Sequence, residues 1–153
     1  MTNEELKQKV LSIVPNAEIT ENKQFVMVNL PSAKLHSVAK TLKDAVDTQF
    51  DLLNCLTGMD WPDGSLGVIY HLFSAKYKHM IVLKTKTTNR ENPVLDTVSD
   101  LWKTADFLER EVYDLLGITF KNHPDMRRIF LDENWVGYPL RKDYVDEINI
   151  IER

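Results

Sequence analysis

LGVIYHLFS (Leu66–Ser74) and HMIVLKTKT (His79–Thr87) are two runs rich in β-branched and aromatic residues, joined by the short lysine-containing link Ala75–Lys78. Two strand-like runs this close together predict a hairpin. A sheet containing that hairpin is mixed or antiparallel, so the expected fold class is α+β: a small sheet flanked by helices.

Working outward, WPDG (Trp61–Gly64) supplies turn chemistry just before the hairpin. FDLLNCLTGMD (Phe50–Asp60) ahead of it is expected to be a buried strand running into a loop. QFVMVNL (Gln24–Leu30) predicts a further strand. Ser32, after Pro31, is placed to cap a helix with Leu35, Val38, Ala39 and Leu42 on one face. At the N-terminus Thr2 and Glu5 form a capping-box pair ahead of Leu6, Val10 and Leu11, and Pro15 ends that helix.

Downstream, NPVLDTVSDLW (Asn92–Trp102) fits a helix opening near Pro93, with Val94, Val98 and Leu101 on one side. A second helix is expected from about Thr104 to Leu116, with Gly117 where a left-handed C-cap belongs. From Lys121 the chain is rich in breakers, as in HPD, DENW and GYPL. The expected organisation is therefore one domain, an α+β body over residues 1–120 and an extended C-terminal arm over 121–153 that buries little against that body.

The 153 residues suit a single domain, and 43% hydrophobic with 27% charged residues is an ordinary globular composition. A net charge of -4 argues against a nucleic-acid-binding surface, which needs cations to displace counterions from phosphates. The apolar runs, such as MIVL (Met80–Leu83), fall far short of a bilayer span of roughly 20 residues. MTNEELKQKV lacks a cationic start and apolar core, so the chain is expected in the cytoplasm. One cysteine, Cys55, cannot hold an iron-sulfur cluster by itself.

Residues 101–153 hold 8 Lys or Arg and 11 Asp or Glu, against 23 charged residues in the preceding 100. On the helix, Arg110 and Asp114 are i,i+4 partners, while Glu109 and Glu111 point to different faces. Arg127 and Arg128, returned by the HPDM turn, are expected to pair with the helix carboxylates. That gives a salt-bridge lattice pinning the arm. The alternative is an acid-base or metal site from Glu109, Glu111, Asp114 and His123. The divergence of Glu109 and Glu111, and arginines beside the acids, count against it. Cys55 in LLNCLTG is expected to be buried, His71 and His79, on opposite arms of the hairpin and too few for a zinc site, to belong to a plain strand surface, and DGSLG (Asp63–Gly67) to be a plain turn. Trp61, Trp102, Trp135 and Tyr138 are core or interface anchors.

EREVYDLLGITFKNHPDMRRI (Glu109–Ile129) closely resembles the signature of the NuoC subunit family of the proton-pumping NADH:quinone oxidoreductase, respiratory complex I. WVGYPLRKDY (Trp135–Tyr144) resembles the tail element of that family, and LLNCLTGMDWPD (Leu52–Asp63) with the following Tyr-His-Leu-Phe strand is similar to its central sheet. The resemblance implies a non-catalytic α+β subunit of the peripheral arm, on the cytoplasmic face of the bacterial membrane. It implies that NADH, FMN, iron-sulfur clusters and quinone are bound by other chains, and that the tail lies along NuoD-like, NuoB-like and NuoI-like subunits. The signature residues carried over are Glu109, Arg110, Glu111, Asp114, Gly117, His123, Pro124, Asp125, Arg127 and Arg128. The tail set is Trp135, Gly137, Pro139, Leu140, Arg141, Lys142, Asp143 and Tyr144, with ion pairing, turn formation and partner contact as implied roles. Some members are fused to a NuoD-like chain; this sequence, ending soon after Tyr144, is expected to be free-standing. Related complexes share the signature: energy-converting hydrogenases, F420-dependent dehydrogenases and ferredoxin-type quinone-reducing enzymes.

Overall fold

The computed structural model describes residues 2–15, 17–21 and 25–146. The hairpin forms as its sequence predicts, with β4 (Leu66–Ser74) and β5 (His79–Thr87) antiparallel from Leu66↔Thr87 to Ser74↔His79. β3 (Leu52–Asp60) joins β4 on one side, antiparallel. On the other side β2 (Val26–Pro31) runs parallel to β5, and a short β1 (Glu18–Glu21) closes the order β1-β2-β5-β4-β3. Gln24, the predicted start of β2, lies outside the described residues.

Period-two alternation directs Val26, Val28, Leu30, Val68, Tyr70, Leu72, Ile81 and Leu83 into the core. Two helices cover this face. α1 (Asn3–Ile13) opens on the Thr2–Glu5 capping box and buries Leu6 and Val10. α2 (Ser32–Asp44) buries Leu35, Val38, Ala39 and Leu42. Ser32 is the first helical residue rather than the cap; Pro31 holds the cap position and makes no side-chain cap bond.

Between Asn92 and Trp102 the predicted helix is absent. Val94–Asp96 forms β6, paired in parallel with β7 (Thr119–Lys121), and turns follow. The Val98 N–H, which a helix would turn inward along its own axis, donates instead to the buried Glu109 carboxylate. Trp102 is buried and its indole N–H donates to the Phe50 carbonyl.

Two further expectations fail at the sheet. β3 remains a strand through Asp60 instead of entering a loop, and as an edge strand it leaves Cys55 exposed. The two hairpin histidines keep separate surroundings and form no pair: His71 meets the Phe25 ring edge-on, while His79 stacks on Tyr77 and leans on Phe50.

α3 (Ala105–Leu116) crosses β3, and Gly58 permits the approach: a Cβ there would lie 2.4 Å from Leu116 Cδ1 and 2.8 Å from Val112 Cγ1. The helix ends as predicted, with Gly117 left-handed at φ 70° and its N–H bonded to the Tyr113 carbonyl. After β7 the described chain, to residue 146, contains neither helix nor strand and runs as an arm along α3 toward the end of β3.

Candidate functional site: the helix and arm lattice

The apolar side of α3 packs through Val112 and Leu116, and Glu109, Arg110 and Asp114 are buried with them. Burying three ionisable groups in one short helix requires that each be satisfied. Each is, by a different part of the chain.

Glu109 is fully buried, and its carboxylate accepts from the Val98 N–H at 2.8 Å and the Thr97 hydroxyl at 2.5 Å. Burial pushes its pKa up to about 7; the two donors oppose that rise, and the nearby Asp106 and Asp100 add to it. His123 Nε2 lies 3.8 Å away. The His123 ring is held at both nitrogens: Nδ1 accepts from the Asp125 N–H, so Nε2 carries the proton and donates to the Asp106 carbonyl. The N-terminal half of α3 thus grips the turn before the helix and the start of the arm.

Arg110 does not pair with Asp114. It donates through Nε to the Arg127 carbonyl and through Nη2 to the Arg128 carbonyl, with the Asp125 carboxylate 3.9 Å off. Asp114 instead takes Arg128 Nη1 at 2.8 Å and the N–H groups of Ile129, Phe130 and Leu131 at 3.2, 2.7 and 3.0 Å. Burial would raise the Asp114 pKa, but Arg128 and the three amides outweigh it and hold the carboxyl below its usual range. Arg128 also reaches the Trp135 and Gly137 carbonyls, joining both halves of the arm to the helix. Arg127, expected to pair with the helix, is 65% exposed and its side chain bonds to nearby Asp125, while the adjacent Arg128 takes the inward side. Glu111 is exposed on α3, as is Pro124 on the arm.

The tail closes over the end of α3. Arg141 Nε donates to the Leu116 carbonyl and the Leu140 N–H to the Leu115 carbonyl, satisfying helix ends that otherwise lack partners. Tyr138 lies flat against Gly117, where a Cβ would come within 2.5 Å of the ring. The Arg128 and Arg141 guanidinium groups stand 5.2 and 4.9 Å from its centre. Gly137, at φ 87°, makes room for the Tyr144 ring.

Two residues outside the predicted set complete the lattice. Asp60 ends β3 nearly buried, takes both Arg90 Nη groups at 2.8 and 2.7 Å, and accepts the Lys142 N–H at 2.8 Å. The Arg90 guanidinium holds the Asp60 carboxyl down to about 2. Arg90 also binds Asp143 through both carboxylate oxygens, and its carbonyl accepts from Arg141. The arm is therefore not loosely attached, as its composition led one to expect: it buries little apolar surface and is held by polar bonds. Met126 packs against the core, whereas four other apolar side chains point the other way, Phe130, Val136, Leu140 and Val145 being 66%, 86%, 59% and 77% exposed, with Phe107 of α3 at 63%.

Such an arrangement positions a surface; every buried carboxylate is saturated by internal donors. Among the described residues no group of three or more His, Cys, Asp and Glu side chains is placed to hold a metal ion. No helix among them is long and apolar enough to cross a membrane.

Residues 28–148 match the family model described as respiratory-chain NADH dehydrogenase, 30 Kd subunit. The NuoC/D subunit of NADH-quinone oxidoreductase from Phocaeicola vulgatus is 53% identical over 122 residues, 80% of this chain but 23% of that relative's length. The NuoC subunit of the same enzyme from Geotalea uraniireducens is 39% identical over 141 residues, covering 91% of this chain and 83% of the relative. Among solved structures, a chain of a membrane-bound sulfane sulfur reductase, an archaeal respiratory membrane complex, superimposes with TM-score 0.80 at 26% identity, covering 95% of this chain and 86% of that one.

Proposed function

Since the chain belongs to the family of the 30 Kd subunit of respiratory-chain NADH dehydrogenase, we propose that it is a non-catalytic peripheral-arm subunit of a proton-translocating NADH:quinone oxidoreductase. Its work is assembly: it holds the electron-carrying subunits in register, while NADH, FMN, iron-sulfur clusters and quinone are bound by its partners and none by this chain. The partners are the NuoD-like, NuoB-like and NuoI-like subunits, on the cytoplasmic face of the membrane, which the chain meets only through the complex. By itself it has no activity.

The observation that carries this reading is the orientation of the arm. Its polar groups are spent on α3 and Asp60, while Phe130, Val136, Leu140 and Val145 face outward. A segment held in one shape with apolar anchors exposed is prepared for a partner at little further entropic cost. The signature residues Glu109, Arg110, Asp114, His123 and Arg128, with Arg141 of the tail, build that shape, and the arm presents the anchors.

Likeness to a chain of the sulfane sulfur reductase complex supports a second reading, the equivalent subunit of a related respiratory or hydrogenase-type complex. Affinity purification of the tagged chain from its own membranes, with mass spectrometry and an NADH:quinone assay on the eluate, separates the two. NuoB-like and NuoD-like subunits with NADH oxidation are the expected result. Hydrogenase-type or ferredoxin-linked partners would transfer the chain to a relative, and a solitary chain that oxidises NADH would overturn the subunit reading.

A further inference from the structure

The two edges of the sheet are built differently. β1 is four residues long and acidic at both ends, a short charged edge of the kind that resists pairing. β3 is nine residues long, with no proline, lysine or arginine, and its one charged residue, Asp60, is already engaged by Arg90 and Lys142. A register shift between Leu53 and Cys55 interrupts it, yet Cys55 to Asp60 runs regularly against β4. Along this edge Leu52 and Met59 are 46% and 42% exposed. An unprotected edge of this length has one natural complement, another extended main chain.

Beside the edge, between β3 and α3, lies a cleft of about 40 Å³ lined by Leu56, Val112, Leu115, Leu116 and Leu140, with Glu111 at its lip. Glu111 is exposed and makes no ion pair among the described residues. Leu140 belongs to the arm, so cleft and arm form one continuous surface.

We propose that the β3 edge receives an extended segment of the partner polypeptide as a sixth strand, with an apolar side chain entering the cleft and a lysine or arginine opposite Glu111. This rests on the subunit reading above. The charge pattern selects a partner over a second copy of this chain, because β3 itself carries no lysine or arginine to set opposite the Glu111 of a second copy.

Cys55, the one cysteine of the chain, reports directly on the edge. Its maleimide reactivity, followed by mass spectrometry of its peptide, is compared in the isolated chain and in the purified native assembly. Protection of at least about tenfold in the assembly is expected. A photoreactive amino acid replacing exposed Asn54 is expected to cross-link within one extended segment of the partner. Thr57→Lys with Met59→Lys is expected to lower recovery of the assembly without changing the melting temperature. Equal Cys55 reactivity in both samples, or cross-links to a second copy, would overturn the edge proposal while the subunit reading stands. A chain that purifies with no partner would sink both.

Discussion

At Asp114 an arginine and three backbone N–H groups converge on one carboxylate that is shut off from water, and the arm's path follows from that convergence. Removing Arg128 leaves the buried carboxylate with amides alone and frees the Trp135 and Gly137 carbonyls as well. Arg128→Ala is expected to cost about 3 to 5 kcal/mol, seen as a melting temperature lower by roughly 10 °C. Arg127→Ala, at an exposed side chain paired only with its neighbour, is expected to leave the melting curve where it is. Equal effects of the two variants would contradict the assignment. Sequence spacing brought both arginines to the helix; adjacent side chains of an extended segment point to opposite sides, and which of the two faces α3 is set by the packing of the arm rather than by any local pattern.

Glu109 makes the lattice sensitive to pH with a definite sign. Its carboxyl releases a proton near 4.5 in the unfolded chain and near 7 in the folded one. Between these values the folded chain binds more protons, so this group's contribution to stability falls as pH rises, by an amount on the order of 3 kcal/mol. Glu109→Gln removes that slope. Urea midpoints of the variant relative to the native chain are therefore expected to rise between pH 5 and pH 8, and parallel curves would refute the assignment.

Among the elements, α3 and its cap were legible because a periodic apolar face ends at Gly117, the residue type that adopts φ 70° without steric cost. Gly117→Ala adds both a strained backbone and a Cβ inside the Tyr138 ring. The tail is expected to lift off, so that limited proteolysis between Trp135 and Tyr144 accelerates while circular dichroism of the body is preserved; unchanged cleavage would show that Tyr138 does not hold the tail. The hairpin was legible for a similar reason, two β-rich runs joined by a short link. The segment 92–102 was not, since Val94, Val98 and Leu101 fit a helix face equally well, and the deciding hydrogen bond comes from Glu109, eleven residues beyond Val98. β1 and β7, at four and three residues, are too short to carry any period.

On the scale of the whole molecule, a sheet with α1, α2 and α3 on one face supports an arm fixed at three places: the buried polar side chains of α3, its C-terminal carbonyls and Asp60. The third escaped sequence reading because Arg90 lies 30 residues from Asp60 and 53 from Asp143, in a stretch that reads as a charged loop. Polar fixation with apolar exposure is the central claim, and it separates folding from assembly. Val136→Asp with Val145→Asp alters only outward side chains, 86% and 77% exposed. The most direct measurement is the recovery of this double variant in the native-size membrane complex, beside the melting temperature of the isolated chain. An unchanged melting temperature with loss of the variant from the complex is the predicted result; incorporation at the native level would contradict the claim that the arm is the docking surface.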